Sequence, residues 1–289
     1  MVLIVGCGDV GRRVAAELLA AGEPVTGLVR SAESAARLAA LGGVPLLADL
    51  DLADLPPLPS AGAQVFYFAP PPPRGDTDPR IGRFLTACGR DGQPRRIVAI
   101  STTGVYGDCH GEWVDEDRPP NPQVDRARRR WDAEQQLHAW RRQHGGELVI
   151  LRVAGIYGPG KLPLERLRQG LPMIPEHEAP WTNRIHIDDL VTVCLAAMQR
   201  APDGALYNVS DGHPGNMTDY FNRVADLAGL PRPPLVPLAE AEGQLSAGLL
   251  SYLGESRRLR NDRLLRDLAI ELRYPGLEAG LPACFAAGA

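Results

Sequence analysis

Short apolar runs alternate with amphipathic segments through the first half of the chain, and this alternation restricts the fold more than any other feature. Strands that are buried on both faces have continuous apolar sequences, and strands that alternate with helices form a parallel sheet covered on both sides. The predicted strands are residues 2–5, 25–29, 44–47, 65–68, 97–100 and 148–151. We therefore predict an α/β fold built on a doubly wound parallel sheet.

A glycine-rich turn follows the first predicted strand. The sequence Gly6-Cys-Gly8-Asp-Val-Gly11 leads into a predicted helix. In this pattern the first glycine makes a tight turn, the second lets the backbone approach a pyrophosphate, and the third allows the helix to pack closely on the strand. Because a strand precedes the turn and a helix follows it, we predict a Rossmann-type dinucleotide site that includes Asp9 and Val10.

The second predicted strand leads to Arg30 and Ser31, about where such a fold contacts the adenosine ribose. An acid at this place binds the ribose hydroxyls of NAD, whereas a planar guanidinium suits the 2′-phosphate of NADP. No acid occurs in the strand. We therefore predict NADP as the cofactor, with NAD possible, and Arg30 and Ser31 as contacts. The alternative is that Arg30 only points into solvent.

The regular alternation ends near residue 152, where proline and glycine become frequent. A further helix and strand then return to the sheet before the chain leaves it again. We predict a Rossmann domain and a smaller mixed C-terminal substrate-binding region. The predicted domain comprises residues 1–152 and 183–210, and the predicted capping region comprises residues 153–182 and 211–289.

Composition restricts the class of protein. The chain has 289 residues, of which 44% are hydrophobic, and this is enough for one large domain with a smaller appendage. Its formal net charge of -4 disfavours a nucleic-acid partner, and it has no long apolar run or basic leader, which disfavours a membrane or secreted location. The five cysteines include no C-x-x-C pair, so we expect reduced thiols, no metal site and a cytoplasmic protein.

Four further segments resemble motifs of the extended short-chain dehydrogenase/reductases, the NAD-dependent epimerase/dehydratase family, and they occur in that family's order. They are ISTTGVYG at 100–107, LRVAGIYGPG at 151–160, NRIHIDDL at 183–190 and YNVSD at 207–211. The resemblance covers most of the chain and implies a Rossmann domain that binds a nicotinamide dinucleotide.

The sequence departs from this family at its catalytic Tyr-x-x-x-Lys pair. Counting back from Glu134, the resemblance places Arg126 at the tyrosine position and Arg130 at the lysine position. A guanidinium stays protonated up to about pH 12, so Arg126 cannot act as a general acid or base. We predict that Arg130 binds the cofactor, as the family's lysine does. The alternative for this arginine run is a solvated helix face.

Tyr157 and Lys161 match the letters of the missing pair, and Lys161 is the only lysine in the chain. They fall in a different family segment, and the Gly-Pro-Gly sequence between them disfavours the helix that would bring a Tyr and a Lys together at i and i+4. We therefore predict that this match has no catalytic meaning.

The remaining catalytic candidates follow from the resemblance. Thr102 matches the family's Ser/Thr that forms a hydrogen bond with the reacting oxygen, and Tyr106 is a candidate replacement acid. His186 is a further, weaker candidate. Both Tyr106 and His186 have a structural alternative, since such residues often only anchor a loop.

The resemblance also implies cofactor contacts at the ends of the third, fourth and fifth strands. Asp49 lies where the family contacts adenine, Ala69 and Pro70 lie where it lines the nicotinamide ribose, and Ser101 belongs to the strand-end motif.

Three functions remain open at this point. The first is an NADP(H)-dependent oxidoreductase with a non-standard active site that acts on an unknown small carbonyl or sugar-like substrate. The second is a non-catalytic NAD(P)-binding redox sensor. The third is a nucleotide-sugar epimerase or dehydratase, a reaction that depends on the missing base. We expect a small-molecule partner and either a monomer or a homodimer.

Overall fold

The computed structural model describes residues 1–286, apart from the side chain of Ala247. The strands are β1 Val2–Val5, β2 Val25–Val29, β3 Val44–Leu47, β4 Gln64–Tyr67, β5 Arg96–Thr102, β6 Trp113–Val114, β7 Glu147–Val153, β8 Gly155–Tyr157, β9 Trp181–Thr182, β10 Arg184–His186, β11 Leu206–Val209, β12 Gly215–Asn216 and β13 Arg258–Leu259. The helices are α1 Asp9–Ala20, α2 Ala32–Ala40, α3 Pro79–Asp91, α4 Asp125–His144, α5 Leu164–Arg168, α6 Ile187–Arg200, α7 Met217–Ala228, α8 Ala247–Leu253, α9 Asp262–Leu268 and α10 Leu277–Ala286. Single 3-10 turns occupy Thr103–Tyr106 and Leu238–Glu240.

Seven parallel strands form the central sheet, in the order β3-β2-β1-β4-β5-β7-β11. The chain starts in the middle of this sheet and extends it first to one side and then to the other. This is the doubly wound Rossmann topology, and the predicted fold is confirmed.

Alternate residues of each central strand pack on opposite faces of the sheet. In β1, Val2 and Ile4 belong to the apolar core under α1 and α6, whereas Leu3 and Val5 belong to the core under α3 and α4. Every residue of β1 is buried. This double burial explains why the strand sequence is uniformly apolar and lacks a period of two.

Short two-stranded sheets connect the segments that follow the main strands. β8 pairs with β10, β9 pairs with β12, and β6 pairs with β13. A third apolar cluster lies among α5, α7 and α10. The predicted division into two domains stays a prediction, and its last residues, 287–289, lie outside the described residues.

Within residues 1–286, no helix combines the length and the apolar character needed to cross a membrane. The same residues contain no group of three or more His, Cys, Asp or Glu side chains arranged to hold a metal ion. All five cysteines are buried and free.

Candidate cofactor and substrate cleft

Two cavities lie along the carboxyl ends of the central strands, where doubly wound sheets bind their ligands. The first, of about 350 Å³, contains the glycine-rich turn and is called here the glycine-loop cavity. The second, of about 720 Å³, is lined by Arg126, Arg129, Arg130, Arg184 and Arg257 and is called the arginine cavity. Pro70 lines both, so the two cavities meet at the end of β4.

The glycine-rich turn has the geometry that its spacing predicts. A Cβ atom at Gly6, where φ is +89°, would lie 2.5 Å from the backbone nitrogen of Ala69. A Cβ atom at Gly11 would lie 2.9 Å from the carbonyl oxygen of Gly6, so α1 packs directly on the turn. At Gly8, by contrast, a Cβ atom would meet nothing within 4 Å, and this open space faces the cavity. The loop therefore fits a phosphate-bearing cofactor.

The first turn of α1 completes this site through its backbone. No side chain caps the helix, so its first N–H groups are available to an anion. The side chains of Asp9 and Val10 do not line the glycine-loop cavity: Val10 packs on the apolar core, and the carboxylate of Asp9 lies 2.9 Å from the Lys161 ammonium. Partial burial opposes the ionisation of Asp9, but Lys161 and Arg13 outweigh it and hold the Asp9 pKa below its usual range.

The outer end of the glycine-loop cavity carries Arg30, Ser31, Ser34 and Asp49. Arg30 is exposed just beyond the end of β2. The Ser31 hydroxyl accepts a hydrogen bond from the Ser34 backbone N–H at 3.2 Å and so caps α2. Asp49 accepts the backbone N–H of Asp51 at 2.9 Å. A guanidinium, two hydroxyls and a helix N-terminus thus surround the place where the sequence predicts the adenosine ribose.

Arg80 is a cleft residue that the sequence analysis missed. Its guanidinium binds the Asp51 carboxylate at 2.7 and 2.6 Å and donates to the Pro70 carbonyl at 2.8 Å. It thereby ties the loop after β3 to the loop after β4. Its partner Asp51 lies 29 positions earlier in the chain, and no sequence motif marks this contact.

Arg130 lies where the two cavities meet. Its Nη1 donates to the carbonyl oxygens of Ala69 at 3.2 Å and Ile100 at 3.1 Å, at the ends of β4 and β5. Burial lowers the pKa of Arg130. The structure therefore brings together the predicted cofactor residues Ala69, Pro70 and Arg130.

Thr102 and Ser101 both line the arginine cavity at the end of β5. The Thr102 hydroxyl accepts the backbone N–H of Gly104 at 3.2 Å and keeps its own proton available to a ligand. Ser101 is buried, and its hydroxyl donates to the Glu134 carboxylate. Glu134 in turn forms a buried ion pair with Arg152 at 2.7 Å. Thr102 is thus free to contact a substrate, whereas Ser101 anchors the floor beneath it.

Comparison with known proteins agrees with this architecture. The model of the NAD dependent epimerase/dehydratase family matches residues 81–210. The chain belongs to this family. Because this family is NAD dependent, the cofactor is a nicotinamide dinucleotide of the NAD class.

Several relatives extend over nearly the whole chain. Protein YeeZ of Escherichia coli K12 is 28% identical over 287 residues, which cover 95% of this chain and 96% of that protein. A 4-hydroxy-2-methyl-3-oxo-4-farnesyl-3,4-dihydroquinoline-1-oxide ketoreductase of Stigmatella aurantiaca is 28% identical over 294 residues, covering 94% and 82%. The solved structure of a functionally unknown conserved protein from Silicibacter pomeroyi has 34% identity and a TM-score of 0.85, with coverage of 99% and 98%.

The two arginines that the sequence predicts at the positions of the epimerase/dehydratase family's Tyr-Lys pair both face the cleft. Arg126 and Arg130 are four residues apart on α4, and both line the arginine cavity. Arg126 contacts both α8 and the segment that follows it: its guanidinium lies 4.1 Å from the centre of the Tyr252 ring in α8 and 3.3 Å from the Glu255 carboxylate just beyond it. Arg126 therefore holds a covering helix, and Arg130 holds the strand ends.

Tyr106 does not fit the catalytic role predicted for it in this family member. Its side chain is buried and absent from the cavity wall, and its hydroxyl donates to Asn208 Oδ1 at 2.7 Å. Arg152 stacks 4.7 Å from the ring centre, and burial raises the Tyr106 pKa to about 12. The Tyr106 side chain thus faces the interior of the protein, and its geometry does not support the predicted role as a replacement acid.

His186 is also structural. It is buried, its Nδ1 accepts the Asp188 backbone N–H at 3.2 Å, and it thereby caps α6. Burial lowers the His186 pKa. Tyr157 ends β8, while Lys161 lies in the loop that follows and binds Asp9, so these two residues form no helical pair.

Proposed function

We propose that this protein is an NADP(H)-dependent reductase that transfers a hydride to a small carbonyl substrate bound in the arginine cavity. One observation carries the proposal. The glycine-loop cavity, with Arg30 at its outer end and open space at Gly8, meets the arginine cavity at Pro70, and the arginine cavity contains Thr102 and Arg130. A dinucleotide site thus opens directly into a second cavity that is large enough for a substrate.

The choice of NADP is supported by the side chains around the predicted ribose position. Arg30 has no carboxylate within 4 Å in the described part of the chain, so its guanidinium is available to a phosphate. Ser31, Ser34 and the N-terminus of α2 add donors that favour an anion. Asp49 lies beyond β3 rather than at the end of β2, where an acid would select the ribose hydroxyls of NAD.

The inner end of the cleft is suited to stabilise a negatively charged oxygen. When bound, the reduced cofactor supplies a hydride, and the substrate oxygen gains negative charge. The Thr102 hydroxyl is positioned to donate to that oxygen, and the Arg130 guanidinium supplies a fixed positive charge next to it. Neither group is a general acid at neutral pH, so the proton comes from water that enters the open cavity.

The printed names of two relatives support a reductase. The Stigmatella protein is named a ketoreductase. A Streptomyces protein named 3-diazoavenalumate denitrifying reductase is 30% identical over 140 residues, which cover 46% of this chain. Epimerisation is disfavoured, because that reaction depends on the base whose position is held here by Arg126.

The cofactor assignment is tested by Arg30→Ala. Loss of a charge-assisted contact should weaken NADPH binding by about 1 to 3 kcal/mol and leave NADH binding almost unchanged, as measured by isothermal titration calorimetry. The matched control is Arg37→Ala, which removes an exposed arginine of α2 that pairs with Glu33 and does not line the cavity. Equal weakening of both cofactors by Arg30→Ala would contradict the choice of NADP.

The catalytic assignment is tested by Thr102→Val. With phenanthrenequinone as the carbonyl probe, we expect the kcat of NADPH oxidation to fall about tenfold to a hundredfold, because one donor to the developing charge is lost. NADPH affinity should stay the same, and Thr86→Val, an exposed substitution on α3, is the control. A fully active Thr102→Val protein removes Thr102 from the mechanism.

A second candidate function is an NAD(P)-binding sensor without turnover. It is favoured by the chemistry of the cavity wall, where the Tyr-Lys positions carry two permanently charged guanidiniums. Tight NADPH binding without oxidation by the quinone or by an aryl ketone would favour this function over the reductase.

A further inference from the structure

Arg184 forms part of the arginine cavity and has no carboxylate within 4 Å in residues 1–286. Its guanidinium carbon lies 3.7 Å from the centre of the Tyr220 ring, and its Nη2 donates to the Thr182 hydroxyl at 3.3 Å. Burial lowers the pKa of Arg184, so the structure holds this cation away from water at a cost. The Arg184 guanidinium is thus stacked on an aromatic ring, half-buried and without a carboxylate partner in the described chain, and its planar shape suits a bidentate anion.

The other arginines of the cavity are already engaged. Arg126 and Arg257 share the Glu255 carboxylate, at 3.3 and 3.0 Å, and Glu255 is the one carboxylate among the described residues of the wall. Arg130 holds the strand ends, and Arg129 donates to the Gly75 carbonyl. Among the described residues of the wall, Arg184 is therefore the arginine whose guanidinium has neither a carboxylate nor a backbone carbonyl as its partner.

The wall beside Arg184 is apolar and aromatic. Met217, Tyr220 and Phe221 line the cavity from the start of α7, and Leu249 and Tyr252 line it from α8. The first three are buried, so their faces are fixed by packing. Such a wall matches the flat face of an unsaturated or aromatic ring better than the hydroxyls of a sugar.

The field around Arg184 suits a single negative charge. Asp211 is buried beside Arg184, since its backbone N–H donates to the Arg184 carbonyl at 2.7 Å, and the carboxyls of Asp211 and Asp219 oppose the effect of burial on the Arg184 pKa. A dianionic phosphate would be repelled by these acids more strongly than a carboxylate with one charge. The planar carboxylate also matches the two-pronged geometry of a guanidinium.

We propose that the arginine cavity binds an aromatic carboxylate, with its carboxylate on Arg184 and its ring against Tyr220 and Phe221. This substrate class rests on the proposed reductase function, since the carbonyl to be reduced would lie at the Thr102 end of the same cavity. Arg184 is then a specificity-determining residue, and it takes no part in the hydride transfer.

The test uses trans-cinnamate, its uncharged amide and phenyl phosphate as probes, with binding measured by isothermal titration calorimetry in the presence and absence of NADPH. We expect the full-length protein to bind cinnamate at least about tenfold more tightly than cinnamamide or phenyl phosphate. Arg184→Gln should remove this preference, and Arg184→Lys should keep part of it. Arg232→Gln, which removes an exposed arginine paired with Asp226, should leave it unchanged.

Each outcome of this experiment either supports or overturns the carboxylate site at Arg184. Equal binding of cinnamate and cinnamamide by the unmodified protein, no binding of cinnamate, or tighter binding of phenyl phosphate overturns the carboxylate site, even if the Arg184 variants fail to fold. NADPH binding and quinone reduction are measured on the same preparation. Active reduction without carboxylate preference contradicts only this inference, whereas carboxylate preference without NADPH binding contradicts the reductase and leaves the anion site standing.

Discussion

Asp211 is buried next to Arg184 of the arginine cavity and is only partly satisfied by hydrogen bonds. Its Oδ1 accepts the His213 backbone N–H at 2.9 Å, whereas its Oδ2 has no partner within the described chain. Its backbone N–H donates to the Arg184 carbonyl at 2.7 Å. Burial raises the Asp211 pKa to about 6, so the charged form is destabilised in the folded protein.

Asp211→Asn tests this pKa through the pH dependence of stability. The folded-state value of about 6 exceeds that of an unfolded chain, about 3.9, so Asp211 favours folding fully only below about pH 4 and loses this contribution as the pH rises through 6. Between about pH 4 and 7, the free energy of unfolding of the unmodified protein should fall relative to the variant by up to about 3 kcal/mol. Urea unfolding across this range measures the difference.

A control with the opposite sign exists at the surface. Arg232 holds the pKa of Asp226 below its usual range, so the contribution of Asp226 to stability is lost as the pH falls. Asp226→Asn should therefore reverse the trend. If the Asp211→Asn protein and the unmodified protein keep a constant difference at every pH, Asp211 has an ordinary pKa.

Some residues of the cleft follow from sequence alone, and others do not. The spacing of Gly6, Gly8 and Gly11 determines their roles, because all three act through local backbone geometry. The surroundings of Tyr106 could not be predicted locally, because its hydroxyl donates to Asn208, a residue about a hundred positions away. No sequence motif marks Arg184 as a cavity residue either, because its surroundings are assembled from α7 and neighbouring strands.

At the scale of elements, α8 covers the cleft and is attached to α4. Arg126 of α4 contacts the Ser251 hydroxyl, the Tyr252 ring and the Glu255 carboxylate. These contacts join the main sheet region to the segment that closes the arginine cavity. The resemblance to a catalytic tyrosine position gave no hint of this mechanical role.

Arg126→Leu should loosen α8 while leaving the sheet intact. Glu255 keeps its partner Arg257, so we expect a local loss of about 1 to 2 kcal/mol and hydrogen exchange about tenfold or more faster at the amides of residues 247–255. Exchange measured by mass spectrometry compares this variant with Arg128→Leu, which removes an exposed arginine of the same helix. Equal exchange in the two variants would show that Arg126 does not hold α8.

The success of element prediction depends on strand length. The seven strands of the central sheet contain four to seven residues each and are marked by apolar runs, so the sequence located all of them. The paired strands around the cleft contain only two or three residues. Strands this short show no hydrophobic periodicity in the sequence, and they pair only because segments distant in the chain meet in the fold.

At the scale of the whole molecule, charge is distributed unevenly. The chain carries a formal net charge of -4, yet five arginines and one glutamate line the arginine cavity. A cleft with one sign of charge and low-dielectric walls concentrates field lines and draws in ions of the opposite sign. The net charge of the whole chain is therefore a poor guide to this cavity, whose wall carries more positive than negative side chains.

The bond between Lys161 and Asp9 has a practical consequence. Because the chain contains a single lysine, an amine-directed reagent has one side-chain target, and that ammonium lies 2.9 Å from the first helical residue after the glycine-rich turn. A fluorophore attached there would occupy a defined position beside the first turn of α1, without the engineered cysteine that site-specific labelling usually needs. The side chain that imitates a catalytic lysine is thus a natural attachment point for following ligand binding in solution.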